Sequence, residues 1–185
     1  MTDNSDLGRK ILVAGQGGKS TLARALAADL ELPYIEMDAL TYERDWVPVP
    51  PDEFRVRVRE AMDSHPDGWV IDGNQANTLQ GMPAKEADSV VLVNIPFARM
   101  MWRLFWRSIA RARDKQLICG ENTETWGRIF FSRDSLMWFL LRHRKSIGRR
   151  PDRFREWTRD DAQFILLDGA RALNDFYAER GLRRG

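Results

Sequence analysis

Residues 9–26, RKILVAGQGGKSTLARAL, carry the pattern that decides the fold. Residues 10–14 are apolar after the first lysine and predict a buried strand. Three of the next four residues are glycines, which predict a tight turn. From residue 19 to about residue 30, apolar residues recur at the spacing of an amphipathic helix. A buried strand that turns directly into a helix is the opening unit of an α/β fold.

The sequence Gly-Lys-Ser-Thr at residues 18–21 is typical of the loop that binds phosphate in proteins that use nucleoside triphosphates. The usual pattern, G-x-x-x-x-G-K-S/T, has a glycine five positions before Gly18, where this chain has Val13. The nearest glycine, Gly15, leaves three residues before Lys19 instead of five, so the loop is two residues short. Two interpretations stay open: a shortened loop that still binds phosphate, and a strand-to-helix turn that merely favours anions.

A phosphate loop works through backbone N–H groups and the positive end of the following helix. In that role Lys19 would contact the β- and γ-phosphates of ATP, Ser20 would bind Mg²⁺, and Thr21 would support the start of the helix. Glycines tolerate positive φ and the close approach of a ligand. The predicted ATP-binding residues are therefore Gly15, Gly17, Gly18, Lys19, Ser20 and Thr21.

Composition limits the classes of protein to which the chain can belong. With 185 residues, 43% of them hydrophobic, it is long enough for a sizeable core, and we expect residues 1–185 to form a single domain. The one cysteine, Cys119, has no partner for an internal disulfide, which suits the reducing cytoplasm. A polar N-terminus argues against a signal peptide, and the apolar runs are too short to predict a membrane span.

Charge is distributed unevenly along the chain. The formal net charge is +2, but residues 99–159 contain 16 Lys and Arg against 6 Asp and Glu. Such a basic segment can neutralise a polyphosphate or the backbone of a nucleic acid. The alternative is a set of solvated helix faces without a ligand.

Strand and helix patterns alternate along the chain, which predicts a parallel sheet with helical crossovers. The predicted strands are residues 10–14, 34–37, 69–71, 89–95 and 164–167. The predicted helices are residues 19–30, 52–64, 97–113, 125–145 and 170–179. Residues 114–124 interrupt the pattern as a loop or lid, and residues 146–162 form a polar, basic connection.

Several motifs together carry a resemblance to a known family. They are ILVAG…GKSTLARALA, LPYIEMDAL with Trp46 soon after it, WVIDGN, a strand that ends in Pro96 before spaced arginines, and FSRDSLMWFLLRHR. The chain resembles the adenylate-kinase-related P-loop proteins called topology modulation proteins and, more distantly, nucleoside monophosphate kinases. The resemblance implies a three-layer α/β/α P-loop NTPase fold. Its five-stranded parallel sheet would have the order 2-3-1-4-5, with ligands at the carboxyl ends of the strands and a basic helical lid region at residues 97–160.

Three polar residues follow predicted strands at the edge where the resemblance places ligands. Asp72 closes the third strand, which the fold sets beside Ser20, so Asp72 would orient Mg²⁺ through a coordinated water. Asn74 would hydrogen-bond the phosphate acceptor. Asp38, at the end of the second strand with Glu36 on the same face, would contact the acceptor or, through water, the metal. The alternatives are an ordinary Asp-Gly turn and a strand-end cap.

Spaced arginines follow the fourth strand. Arg99, Arg103 and Arg107 share one helix face, where their mutual repulsion favours a bound anion. In nucleoside monophosphate kinases, arginines seven and eleven residues past the corresponding proline contact the transferred phosphate. The resemblance therefore implies catalytic roles for Arg103 and Arg107, beside Lys19 and Asp72. Arg133 is a further substrate-binding candidate, unless it only pairs with its neighbour in the sequence Ser-Arg-Asp-Ser.

These observations favour two functions. The first is an ATP-dependent phosphotransferase of the adenylate kinase type, which uses Mg²⁺ and transfers a phosphoryl group to an unknown small molecule. The second is a non-catalytic or regulatory protein that binds nucleotide or nucleic acid with a degenerate phosphate loop. No helix-turn-helix or other DNA-reading module stands out in the sequence. We expect a cytoplasmic protein with no membrane partner.

Overall fold

The computed structural model describes residues 4–43, 47–75, 77–97, 99, 101–102, 106, 117–118, 122–123, 142 and 150–184. Within them, a five-stranded sheet is formed by β1 (Lys10–Gln16), β2 (Tyr34–Glu36), β3 (Trp69–Asp72), β4 (Ser89–Asn94) and β7 (Gln163–Asp168). Its order is β2-β3-β1-β4-β7 and all pairs are parallel. The predicted order 2-3-1-4-5 is confirmed, since β7 is the fifth strand of this sheet. Two short strands, β5 (Leu117–Ile118) and β6 (Asn122–Thr123), pair antiparallel within the predicted loop.

Helices cover both faces of the sheet. They are a 3₁₀ turn at Asn4–Leu7, α1 (Lys19–Asp29), α2 (Met37–Thr41), α3 (Pro51–Asp63), α4 (Met82–Glu86), α5 (Arg150–Trp157) and α6 (Gly169–Glu179). The described residues within 97–106 are helical, as predicted, and so is Arg142. Most of the predicted helices 97–113 and 125–145 lie outside the described residues. Among the residues that are described, no helix has both the length and the apolar character needed to cross a membrane.

The core consists of two apolar clusters, one on each face of the sheet. Alternate residues of β1 enter different clusters because successive side chains of a strand point to opposite faces. Ile11 and Val13 pack in the cluster that contains α1 and α6. Leu12 and Ala14 pack in the cluster that contains α3, α4 and α5. The central strand is therefore buried on both sides, and the fold is the predicted three-layer α/β/α arrangement.

Among the described residues, three α-helices were not predicted, namely α2, α4 and α5, and neither was the 3₁₀ turn. In α2, which begins directly after β2, Asp38 is the second residue, so the expectation that Asp38 ends a strand and shares a face with Glu36 is wrong. The α2 helix is stabilised locally, as the Thr41 hydroxyl donates to the Met37 carbonyl at 2.8 Å. Within the polar connection 146–162, α5 forms because Phe154 is buried in the core.

Side chains also fix the amino end of the sheet. The Asp88 carboxylate accepts hydrogen bonds from the backbone N–H groups of Arg9 and Lys10, at 2.9 and 2.8 Å. The buried Ser89 hydroxyl donates to the Leu7 carbonyl at 2.7 Å. These contacts lie at the end of β1 opposite the predicted ligand edge.

Candidate functional site

The turn between β1 and α1 is shorter than the sequence pattern indicates. β1 continues past the predicted residue 14, since Gly15 pairs with Val93 and Gln16 with Asn94 of β4. The α1 helix begins at Lys19, so only residues 17 and 18 lie between strand and helix. The backbone therefore stays in the sheet for most of the segment that would curve around a phosphate in a full-length loop.

The glycines of this turn are required by the protein's own packing. Gly15, Gly17 and Gly18 have φ values of 102°, 79° and 128°, which other residues rarely adopt. A Cβ atom on Gly15 would lie 1.9 Å from the Val93 carbonyl oxygen, and one on Gly17 would lie 2.9 Å from Cγ1 of Ile95. Close packing against β4 and the segment after it therefore explains Gly15 and Gly17 without a ligand.

The start of α1 offers hydrogen-bond donors at the carboxyl edge of the sheet. Among the described residues, no side chain caps the helix at Gly18. The first N–H groups of a helix, here those of Lys19, Ser20 and Thr21, have no carbonyl partner within the helix. Together with the positive end of the helix dipole, these groups favour an anion. The start of α1 therefore favours an anion, which is one part of the chemistry of a phosphate loop.

A buried ion pair joins this helix to the sheet. Asp72 is fully buried and faces α1, and one of its carboxylate oxygens accepts a hydrogen bond from the ammonium group of Lys19. The other oxygen accepts a hydrogen bond from the Tyr34 hydroxyl at 2.9 Å. Burial, and then the negative charge of Asp72, raise the pKa of Tyr34 well above its usual range, so its hydroxyl remains a donor even where an exposed tyrosine ionises, above about pH 10. The structure thus brings together the predicted residues Lys19 and Asp72 and adds Tyr34, which the sequence analysis missed.

Asn74 is turned towards β1. Its carboxamide oxygen accepts from the Gly15 N–H at 2.7 Å, and its amide nitrogen donates to the Gly15 carbonyl at 2.8 Å. Both ends of the side chain are thus engaged with the turn, whereas the sequence suggested a contact with the acceptor.

Gln75 connects Asn74 to Asp38. The Gln75 side chain donates to the Asp38 carboxylate at 2.5 Å and accepts from the Asn74 backbone N–H at 2.9 Å. Asp38 is half-buried, and the neighbouring Glu36 pairs instead with Arg24 at 3.4 Å. The sequence analysis did not single out Gln75; its position directly after the Asp-Gly-Asn turn was the available signal.

Several predicted site residues lie outside the part of the chain that the structure describes. These are Arg103, Arg107 and Arg133, together with Trp46. On the same predicted helix as Arg103, Trp102 and Trp106 are 64% and 51% exposed, and their rings meet edge to face with centroids 5.6 Å apart. Two exposed indoles therefore lie within the basic segment.

The described residues contain no cluster of three or more His, Cys, Asp or Glu side chains arranged to hold a metal ion. Mg²⁺ needs few protein ligands, because it keeps several of its waters. The predicted pair Ser20 and Asp72 therefore stays a prediction for a Mg²⁺ site.

Comparison with known proteins adds no identity. No protein-family model matches the chain, and no curated protein matches it significantly. The family suggested by the motifs therefore stays a prediction. The structure itself shows which groups lie together at the carboxyl edge of the sheet. They are the glycine turn, the start of α1, the buried ion pair, and the hydrogen bonds that connect Asn74 through Gln75 to Asp38.

Proposed function

We propose that the chain binds ATP with Mg²⁺ at the β1–α1 turn and transfers a phosphoryl group to a small acceptor near Asp38. The observation that carries this proposal is the ion pair between Lys19, the first residue of α1, and the buried Asp72 at the end of the neighbouring strand. A lysine at the start of a helix beside a strand-end acid is an arrangement that suits a phosphate and a divalent cation.

The residues fit such a ligand at the start of the helix. The N–H groups of Lys19, Ser20 and Thr21 would bind phosphate oxygens, and the Lys19 ammonium would add a positive charge. Ser20 would hold Mg²⁺, and Asp72 would contact it through water once Lys19 has moved from the buried carboxylate to the phosphate. When bound, Mg²⁺ supplies charge neutralisation for phosphoryl transfer. Because only two residues separate strand and helix, fewer backbone donors surround the ligand than in a full-length loop. We therefore expect weaker binding than a full-length loop gives.

The hydrogen bond between Gln75 and Asp38 supports an acceptor site beside the nucleotide site. Gln75 donates to one oxygen of the Asp38 carboxylate, and the structure shows no hydrogen bond from the described residues to the other oxygen, which would orient an acceptor hydroxyl. Arg103, Arg107 and Arg133 would complete the charge stabilisation of the transferred group, as the family resemblance implies.

Thermal unfolding with and without millimolar MgATP or MgADP tests the proposal. Free ligand at about 100 times its dissociation constant stabilises the folded state by about 2.7 kcal/mol. Lys19→Met should abolish that shift, whereas Lys10→Met, the same change at the opposite end of β1, should leave it intact. Absence of a shift in the wild-type protein at millimolar nucleotide contradicts the proposal. Formation of ADP with a panel of nucleosides and nucleoside monophosphates then tests transfer.

A second candidate function is non-catalytic binding of single-stranded nucleic acid. It is favoured by the exposure of Trp102 and Trp106 within the basic segment 99–159, since exposed aromatic rings and positive charge together bind unpaired bases. Quenching of tryptophan fluorescence by oligothymidylate, with an affinity that falls steeply with salt, would support this function. Trp102→Ala should weaken the quenching titration, and an affinity unaffected by that change would count against it.

A further inference from the structure

Gly15 is held between two neighbours. On one side it pairs with Val93 of β4, and the Val93 carbonyl oxygen leaves no room for a Cβ atom. On the other side Asn74 bonds to both the N–H and the carbonyl of Gly15. Gly15 therefore has little freedom to leave the sheet.

Asn74 follows the residue that makes the last backbone hydrogen bond between the β3 segment and β1. Gly73, directly after β3, donates its N–H to the Val13 carbonyl at 3.1 Å. Gly15 is the next residue of β1 that directs its backbone groups to this side, because alternate residues of a strand pair on the same side. Its partner is the Asn74 carboxamide, which presents an acceptor oxygen and a donor nitrogen as a peptide group does.

The position of Gly15 bears on where α1 begins. With Gly15 and Gln16 still in the sheet, only two residues remain before Lys19, so any displacement of Gly15 moves the first turn of the helix. The Asn74 backbone is itself held by Gln75, which also bonds to Asp38. A continuous series of hydrogen bonds therefore runs from α2 to the turn.

We propose that Asn74 is a positioning residue. Its carboxamide makes the hydrogen bonds to Gly15 that the backbone of a longer β3 would make, and it thereby fixes the positions of Lys19 and of the N–H groups at the start of α1. The placement of Gly15 stands on geometry alone, whereas the expected effect on ligand binding rests on the function proposed above. Asn74 acts through Gly15 and need not touch the ligand.

Hydrogen exchange of the ligand-free protein tests the placement. Asn74→Ala should raise the exchange rate of the Gly15 amide by at least about tenfold, because its only acceptor in this contact is lost. Ser89→Ala is the matched control, since it removes one buried hydrogen bond at the opposite end of the sheet and should leave Gly15 protected. If Asn74→Ala does not fold, Asn74→Ser gives the same test, as its side chain is too short to bond both Gly15 groups. An unchanged Gly15 exchange rate in a folded variant overturns the proposal.

Titration with MgATP tests the consequence for binding. Asn74→Ala should weaken affinity by at least about tenfold, while Ser89→Ala lowers the melting temperature but keeps the wild-type affinity. Equal affinities of wild type and a folded Asn74 variant would overturn the positioning role, whatever their stabilities. If the wild-type protein binds no MgATP, the proposed function fails, and the exchange measurement still decides whether Asn74 sets the turn.

Discussion

Replacing Lys19 with methionine should destabilise the protein strongly, even without a ligand. The change keeps most of the side-chain volume but removes the only cationic partner that the structure gives to Asp72 within its described residues. The Asp72 side chain has no solvent exposure, and the Lys19 side chain is only 14% exposed, so water cannot replace the lost ammonium without rearrangement. The hydrogen bond from Tyr34 remains.

The magnitude follows from the burial of the pair. Removing one partner of a buried ion pair costs about 3–5 kcal/mol, because the remaining charge is left uncompensated. We expect about 3 kcal/mol for Lys19→Met, since the Tyr34 hydroxyl still donates a hydrogen bond to the carboxylate. Asp72→Asn in the same background removes the buried charge, and we expect it to restore about 2 kcal/mol.

Urea unfolding followed by tryptophan fluorescence measures these differences. With a slope of about 2 kcal/mol/M, a loss of about 3 kcal/mol lowers the midpoint by about 1.5 M. Lys10→Met, the control, should change the free energy of unfolding by less than about 0.5 kcal/mol. If Lys19→Met is as stable as wild type, or the double variant is no more stable than Lys19→Met, the ion pair does not have the role assigned to it.

Three further outcomes follow from the geometry. Gly15→Ala should destabilise by at least about 3 kcal/mol, measured by thermal unfolding, because the new Cβ would meet the Val93 carbonyl at 1.9 Å and φ is positive. Arg59→Ala, which removes a half-exposed pair with Glu86 between α3 and α4, should cost less than about 1 kcal/mol in urea unfolding. Above about pH 10, the ordinary pKa of tyrosine, the unfolded state loses the Tyr34 proton while the folded state keeps it, so stability falls as pH rises. That fall should be smaller in Tyr34→Phe, compared by urea midpoints between pH 9 and 11.

A different result would contradict each of these three predictions. Wild-type stability of Gly15→Ala would show that β4 can move away from the turn. A loss well above 1 kcal/mol for Arg59→Ala would show that its pair is less solvated than its exposure indicates. Equal alkaline profiles of wild type and Tyr34→Phe would show that Tyr34 ionises normally.

The strands could be predicted from the sequence because buried parallel strands appear as short apolar runs, whereas their order in the sheet came from the family resemblance. β1, β4 and β7 each contain such a run. Compared with the predicted ranges, β1 extends two residues further and β7 extends one residue further at each end, whereas β4 ends one residue earlier. The α2 helix was missed because it is a single turn that directly follows β2 without a sequence break. The α5 helix was missed since its first turn is polar and basic and its burial depends on Phe154, which meets the core only in the folded chain.

The candidate site could be predicted from the sequence in part. Asp72 was found because an acid at the end of a buried strand is unusual, and Lys19 because of the glycines before it. That the two pair with each other depends on the register between β1 and β3, where Val13 lies opposite Asp72, and no local pattern gives that register. The hydrogen bonds between Asn74 and Gly15 could not be predicted for the same reason, since they depend on where β3 ends relative to β1.

The sheet order also has a consequence for how the protein reaches its fold. β1 is the first strand of the five-stranded sheet in the sequence, yet its partners begin at Trp69 and Ser89, and β7 joins β4 only at Gln163. Because the entropy of closing long loops opposes each pairing, we expect slow refolding from urea. During synthesis, the apolar residues of β1 stay unpaired until β3 has left the ribosome, which favours aggregation. The central strand of the folded sheet is therefore the first of the five to be synthesised, and it remains unpaired until β3 follows it.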